Sequence, residues 1–149
     1  MMSRIKMIFC VYGSLLNLDE FGEFMGLEPS KSWLEGDIIP IQGNLRQVGP
    51  AWRRKETAWE LSTDYIETYD SDDVINALLT TFKIPFSEIG DYIQKYKLDM
   101  KIDFVVEIEN GKAPGFCFRN EFLRTVVEMN GDVEIDIYVM SGAEKQAPD

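Results

Sequence analysis

The sequence of 149 residues contains no histidine and only two cysteines, Cys10 and Cys117. Without histidine there is no Ser-His-Asp or Cys-His catalytic group, no histidine-ligated zinc site and no imidazole to move protons near neutral pH. Two cysteines are too few for a disulfide framework or a four-cysteine metal site. Both lie in apolar, strand-like segments, so we expect buried free thiols in a reducing cytoplasm.

Basic residues and long apolar runs are also scarce. Fifteen Lys and Arg face 26 Asp and Glu, which gives a net charge of −11. Nucleic-acid affinity depends on clustered basic side chains, so no nucleic-acid partner is expected. No apolar run reaches the roughly 18 residues of a membrane span, and the N-terminal run is too short and interrupted for a signal peptide. We therefore expect a cytoplasmic protein that does not contact a membrane.

Motifs for cofactors and covalent catalysis are missing as well. There is no phosphate-binding glycine loop, nucleophile elbow or metal-ligand motif. We expect no cofactor and no metal ion, and no catalytic residue is assigned.

Alternating apolar residues predict the main strands. In residues 4–13, Ile5, Met7, Phe9 and Val11 share one face. The same period predicts strands at 57–63, 101–109 and 132–140, with weaker candidates around 44–48 and 115–118. In the last long strand the pattern places Val133, Ile135, Ile137 and Val139 toward the core.

Helical spacing and capping residues predict the helices. Asn17 can cap a helix that includes Phe21 and Phe24, and Gly26 suits the left-handed position after its end. Further helices are predicted from Ser71, over 87–97 and over 120–130, the last one burying Phe122, Leu123, Val126 and Val127. Residues 28–55, which are rich in Pro and Gly, are predicted to be largely irregular.

These elements predict an α+β fold. One apolar side per strand favours a two-layer sandwich, with a mainly antiparallel sheet and helices packed on one face. We predict a single domain over residues 1–140 and a disordered tail over residues 141–149. The pattern fixes neither the strand order nor the oligomeric state.

Two rows of acidic residues are the most distinctive feature. Asp132, Glu134 and Asp136 alternate along the outward side of the last strand, and Asp103, Glu107 and Glu109 lie on the outward side of the strand near 105. Carboxylates on one strand side are about 6–7 Å apart, which disfavours a cation site. The open alternatives are charge pairing, if the strand with Arg4 and Lys6 lies between the acidic strands, and a docking face for a basic protein.

Tryptophans and a basic triplet form a second group of candidates. Trp52 precedes Arg53-Arg54-Lys55, a run that is either a solvated loop or a contact for an anion or a partner. Trp33 is expected to cover a sheet edge or to anchor a partner, and Trp59 is expected in the core.

Several segments together resemble a known family. They are Gly26-Leu27-Glu28-Pro29-Ser30, Ser32-Trp33, Gly36-Asp37, Trp59-Glu60-Leu61-Ser62 and Ile135-Asp136-Ile137-Tyr138. Over residues 5–140 the chain resembles the bacterial domain of unknown function family numbered 4279. The resemblance implies an uncharacterised protein without assigned catalytic residues, in which Pro29, Trp33, Gly36 and Asp37 determine the fold. It also implies membership of a group often suspected of immunity or interaction roles.

These observations favour a non-catalytic protein-binding module that neutralises a basic protein, for example as the immunity partner of a toxin. The predicted contacts are Asp103, Glu107, Asp132, Glu134, Asp136, Trp52, Arg53 and Arg54. The alternatives are a small-ligand-binding protein or an enzyme, using carboxylates or the Arg53-Arg54-Lys55 loop, and a self-associating structural domain.

Overall fold

The computed structural model describes residues 2–40 and 50–140. Within them the chain has four helices and a six-stranded, mostly antiparallel sheet, which confirms the predicted α+β class. In chain order the elements are β1 (Arg4–Tyr12), α1 (Leu18–Met25), β2 (Lys31–Trp33), β3 (Ala58–Ser62), β4 (Ile66–Glu67), α2 (Ser71–Leu79), α3 (Phe86–Lys95), β5 (Asp99–Ile108), α4 (Asn120–Glu128) and β6 (Gly131–Val139).

The sheet is built around β1. Its strands lie in the order β2-β3-β1-β5-β6, and β4 pairs with the start of β1. β1 is antiparallel to both β3 and β5, whereas β6 runs parallel to β5 after the α4 connection. β2 and β6 therefore lie at opposite ends of the sheet.

The core follows the predicted alternation. Ile5, Met7, Phe9 and Val11 of β1 are fully buried, together with the even-numbered Met100 to Val106 of β5. Apolar residues of all four described helices belong to the same hydrophobic cluster; they include Phe21, Met25, Val74, Leu78, Ile89, Ile93, Phe122 and Val126.

Capping chemistry determines where the first two helices begin. The Asn17 side chain accepts a hydrogen bond from the Glu20 amide at 3.0 Å, and Gly26 ends α1 with a φ of 65°, as predicted. α2 is capped one residue before the predicted Ser71, because Asp70 accepts from the Asp72 amide. The Ser71 hydroxyl is buried and accepts from the Cys117 amide instead.

Two predicted secondary-structure assignments are wrong. Lys31–Trp33 forms strand β2 on β3, in a region predicted to be irregular. Residues 115–118 form no strand; Gly115 makes one isolated bridge with Asp70. The weak strand candidate at 44–48 and the predicted tail at 141–149 lie outside the described residues.

The predicted burial fails near the β6 end of the sheet. Leu123 and Val127 of α4 are exposed, as is Ile135 of β6, while Ile137 and Val139 are 60% and 64% exposed. Val133 does pack against the core. Periodicity indicates which side of a strand is apolar, but whether another element covers that side depends on the strand's place in the sheet.

Candidate functional site

A second side of the sheet carries the residues that alternate with the core. On β1 these are Arg4, Lys6, Ile8, Cys10 and Tyr12. The strand register places beside them Glu60 and Ser62 of β3, Lys101, Asp103, Val105 and Glu107 of β5, and Asp132, Glu134, Asp136 and Tyr138 of β6. We call these residues the second face.

Three of the predicted acidic residues converge on the second face. Asp103 lies opposite Glu134 in the parallel β5–β6 register, and Asp136 lies opposite Val105. Carboxylate oxygens of Asp103, Glu134 and Asp136 all lie within 4.8 Å of one another. The distance expected from a single strand was too large because these carboxylates come from two neighbouring strands, which are only about 4.8 Å apart. Asp103 of β5 lies beside both Glu134 and Asp136 of β6. We call these residues the carboxylate cluster.

Asp103 has the least favourable environment in the carboxylate cluster. Its Oδ1 atom is buried and has no hydrogen-bond partner among the described residues. Burial raises the pKa of Asp103 to about 7, and the neighbouring carboxylates of Asp136 and Glu134 act in the same direction. Lys101 opposes that shift, and its Nζ lies 3.2 Å from Glu134 Oε2. The cluster is therefore a site where negative charges are crowded together.

Such a cluster can attract cations of two kinds. Ca²⁺ and Mg²⁺ bind carboxylate oxygens, but each takes six or more ligands, and the three side chains of the cluster supply only some of them. Lysine and arginine side chains of a protein need one or two carboxylates each and form charge-assisted hydrogen bonds with them.

Glu107 lies on the same face but is engaged in an ion pair. Arg4 Nε lies 2.5 Å from Glu107 Oε1, and the Arg4 guanidinium lies 4.2 Å from the centroid of the Tyr65 ring. Charge pairing across strands thus holds for Arg4 and Glu107. The basic residues of β1 do not pair with β6, because β1 borders β5 and not β6; the ion pair that reaches β6 is formed by Lys101 of β5 with Glu134. Asp132 is exposed and lies opposite Lys101.

The basic triplet lies at the opposite end of the sheet. Arg53 Nη1 donates to the Gly36 carbonyl at 2.9 Å, and the Arg54 guanidinium lies 3.8 Å from the centroid of the Trp33 ring. Trp52 is 79% exposed. Since β2 and β6 are four strand spacings apart, or about 19 Å, the predicted contact residues do not form a single site. Half-buried Trp33 lies on β2, the end strand of the described sheet, where an edge-covering role was predicted.

A cleft that sequence reasoning missed lies beside α1. It has a volume of about 750 Å³ and is lined by Leu18 and Gly22 of α1, by residues 26–29 and by Trp59 of β3. Trp59 is 1% exposed, as predicted for a core residue, but its Nε1 has no hydrogen-bond partner among the described residues. The signal in the sequence is Gly22, a glycine inside a helix where a larger residue would be more favourable.

The family match covers both of these sites. The family described as "Domain of unknown function (DUF4279)" matches residues 3–140. The chain belongs to this family. The resemblance noted in the sequence is thereby confirmed, and the DUF4279 match spans all described strands and helices. Neither the curated proteins nor the solved structures include a match to this chain. Among the described parts of this DUF4279 protein, no helix has the length and apolar character needed to cross a bilayer.

The two cysteines of this DUF4279 protein differ in exposure. Cys10 lies on the second face and is buried, whereas Cys117 is exposed, so the prediction of two buried thiols is wrong for Cys117. Burial raises the pKa of the Cys10 thiol to about 12, and the charge of Glu60 adds to that effect. Cys117 follows Phe116 in a segment that is not a strand, and its side chain therefore does not follow the apolar alternation.

Thiol labelling should distinguish the cysteines. Because the thiolate is the reactive form, we expect Cys117 to react in the native protein and Cys10 to react at least about 100-fold more slowly. Mass spectrometry of the native and the denatured protein measures the difference, and a Cys117→Ser variant isolates Cys10. Rapid native labelling of Cys10 in that variant would contradict the burial described here.

Proposed function

We propose that this protein is a non-catalytic binding module that captures a basic protein partner through the carboxylate cluster. The observation that carries the proposal is the convergence of Asp103, Glu134 and Asp136 within 4.8 Å. Glu134 and Asp136 are exposed, and Lys101 is the basic residue paired with the cluster among the described ion pairs.

The electrostatics of the cluster favour a cationic partner. The raised pKa of Asp103 means that the fully ionised cluster is unfavourable in the free protein. A lysine or arginine side chain placed among the carboxylates would relieve that repulsion and favour the ionised form of Asp103. The net charge of −11 would in addition accelerate the encounter with a positively charged protein.

Apolar surface beside the cluster supports a protein partner over a simple ion. Tyr138 is exposed on the same face of β6 as Glu134 and Asp136, and Ile137 and Val139 are exposed on the other side of that strand. Protein interfaces combine such apolar contact area with charged groups that set orientation. Neutralisation of a basic toxin by an immunity protein is one function of this kind, and free cysteines are compatible with the cytoplasmic setting it would have.

The test compares two variants with the same loss of charge. Glu134→Gln with Asp136→Asn removes two carboxylates from the cluster, and Asp91→Asn with Glu128→Gln removes two exposed ones from α3 and α4. Each immobilised protein is exposed to extract of the source cell at low and moderate salt, and the captured proteins are identified. Association rates of a recovered basic partner are then measured, and we expect the cluster variant to associate about tenfold more slowly than the control.

The stability of the two double variants completes the test. Both double variants should unfold within about 1 kcal/mol of the parent protein, because exposed charges contribute little to stability. Equal association rates for the cluster variant and the control, or the capture of no stoichiometric protein at either salt concentration, would contradict the proposal.

A further inference from the structure

The cleft beside α1 is separate from the carboxylate cluster and has apolar walls, an acidic rim and one buried hydrogen-bond donor. Leu18, Leu27 and Pro29 are half-buried and give it apolar walls. Asp19, Glu23 and Glu28 are exposed and give it an acidic rim. No lysine or arginine is among the described residues that line it, although Lys83 Nζ donates to the carbonyl of Gly26 at its border, at 3.0 Å. The lining therefore suits a ligand with a short apolar body and a positive charge.

Trp59 lines the cleft and carries a buried hydrogen-bond donor. Its ring is held by edge-to-face contacts, with centroids 5.0 Å from Phe21 and 6.2 Å from Phe9. A Cβ atom added at Gly22 would lie 3.8 Å from Nε1, so the glycine leaves the space next to this N–H without a side chain. A buried donor without an acceptor is unfavourable, and an acceptor that reaches it recovers that free energy.

The wall opposite α1 is fixed to the sheet. The Ser30 amide donates to the Glu60 carbonyl at 2.7 Å, and the Ser62 amide donates to Ser30 Oγ at 2.9 Å. Gly26, with a φ of 65°, turns the chain at the end of α1 so that residues 27–29 return beside Gly22. Nε1 is shielded from solvent, and the wall opposite α1 is held in place by these hydrogen bonds. A ligand can therefore reach Nε1 only if the Gly22 side of the cleft moves slightly.

We propose that this cleft binds an organic cation that also carries an uncharged oxygen acceptor a few carbon atoms from its charge. The acceptor takes the hydrogen bond from Trp59 Nε1, the carbon chain lies against Leu18 and Pro29, and the cationic end meets Glu23 and Glu28 at the rim. A free amino alcohol has this chemistry, as does a basic amino acid residue with its adjacent carbonyl group. The proposal does not depend on the carboxylate cluster.

The indole N–H signal of Trp59 in ¹⁵N-labelled full-length protein reports directly on this site. Trp33 and Trp52 are not among the residues that line the cleft, so the variants Trp33→Phe and Trp52→Phe each remove one indole signal and identify the remaining one as that of Trp59. Aminopentanol and acetylarginine amide are the two probes, and we expect at least one of them to move the signal at concentrations up to about 10 mM. A response to aminopentanol indicates a free small molecule, and a response restricted to acetylarginine amide indicates a residue of a peptide.

Matched compounds and variants separate this site from nonspecific binding. Pentanol lacks the charge and pentylamine lacks the acceptor, so each should bind about tenfold more weakly than aminopentanol. Gly22→Ala places a methyl group next to Nε1 and should weaken binding of the active probe about tenfold, whereas the distant Gly115→Ala should not. Glu23→Gln should weaken binding by a smaller factor without altering the cleft wall.

Several results would overturn the proposal. They are a Trp59 signal that neither probe moves, equal binding of pentanol, and unchanged binding in both Gly22→Ala and Glu23→Gln. None of these results bears on capture of a protein by the carboxylate cluster, since that test uses different variants.

Discussion

Gly90→Ala is expected to destabilise the protein by about 3 kcal/mol, because α3 and α4 touch at this glycine. Gly90 is buried in α3, and a Cβ atom there would lie 1.9 Å from the Glu128 carbonyl oxygen and 3.3 Å from Met129 Cα. Both contacts are with backbone atoms, so the two helices would have to separate. Asn130 Nδ2 also donates to the Gly90 carbonyl at 3.0 Å, and separation would break that bond.

Gly22→Ala is the matched control for this substitution. Gly22 also lies inside a helix, but a Cβ there would meet its neighbours only at 3.8 Å, an ordinary contact. We expect this variant to be more stable by about 0.5–1 kcal/mol, since alanine favours a helix over glycine. Chemical denaturation followed by circular dichroism measures both values. A Gly90→Ala protein as stable as the parent would show that the α3–α4 approach is looser than described.

Asp103→Asn is expected to stabilise the protein by about 1–2 kcal/mol at pH 8, a value reduced for solvent screening of a partly exposed group. The pKa of Asp103 is raised to about 7 by burial and by Asp136 and Glu134. Asparagine has the shape of the protonated acid and carries no charge, so it removes the repulsion within the carboxylate cluster.

The pH dependence follows from the direction of this shift. Well below pH 4 Asp103 is protonated in both the folded and the unfolded chain, and its ionisation does not affect stability. Between pH 4 and 7 the folded protein retains a proton that the unfolded chain releases, so this group lowers stability as the pH rises. The stability difference between Asp103→Asn and the parent should therefore grow from pH 4 to 7 and remain constant above it.

Asp132→Asn is the control for the pH experiment. Asp132 is exposed on the same strand but does not belong to the carboxylate cluster. Urea denaturation at several pH values, with the carboxyl ¹³C signal of Asp103 as a direct readout, distinguishes the variants. If both aspartates give the same pH dependence, or if the Asp103 signal titrates near pH 4, the crowded cluster is not present in solution.

The sequence was most informative where structure depends on neighbouring residues. Alternation in β1 predicted which residues are buried, and Asn17 and Gly26 marked the ends of α1. Alternation wrongly predicted burial for Ile137 and Val139, which have the core-facing pattern but lie on the strand at one end of the described sheet. A pattern of side-chain polarity contains no information about which strand becomes an edge.

The candidate sites show the same division. Sequence reasoning selected Asp103, Glu134 and Asp136 but gave them too large a separation, since it considered each strand alone. It grouped Arg53 and Arg54 with them as contact residues, although the strand order places the basic triplet at the other end of the sheet. The cleft at Trp59 was not predicted, because Gly22 and Trp59 approach each other only after α1 packs on β3.

The amino-acid sequence by itself determined the α+β class, the side of each main strand that is apolar, the start and end of α1 and the family resemblance. These depend on periodicity and on capping bonds that span three or four residues. The tertiary structure alone decided the strand order, the parallel pairing of β5 with β6, the convergence of the carboxylates and the open space beside Trp59. Each of these depends on contacts between residues far apart in the chain, and such contacts are selected by how the whole core packs rather than by any local segment.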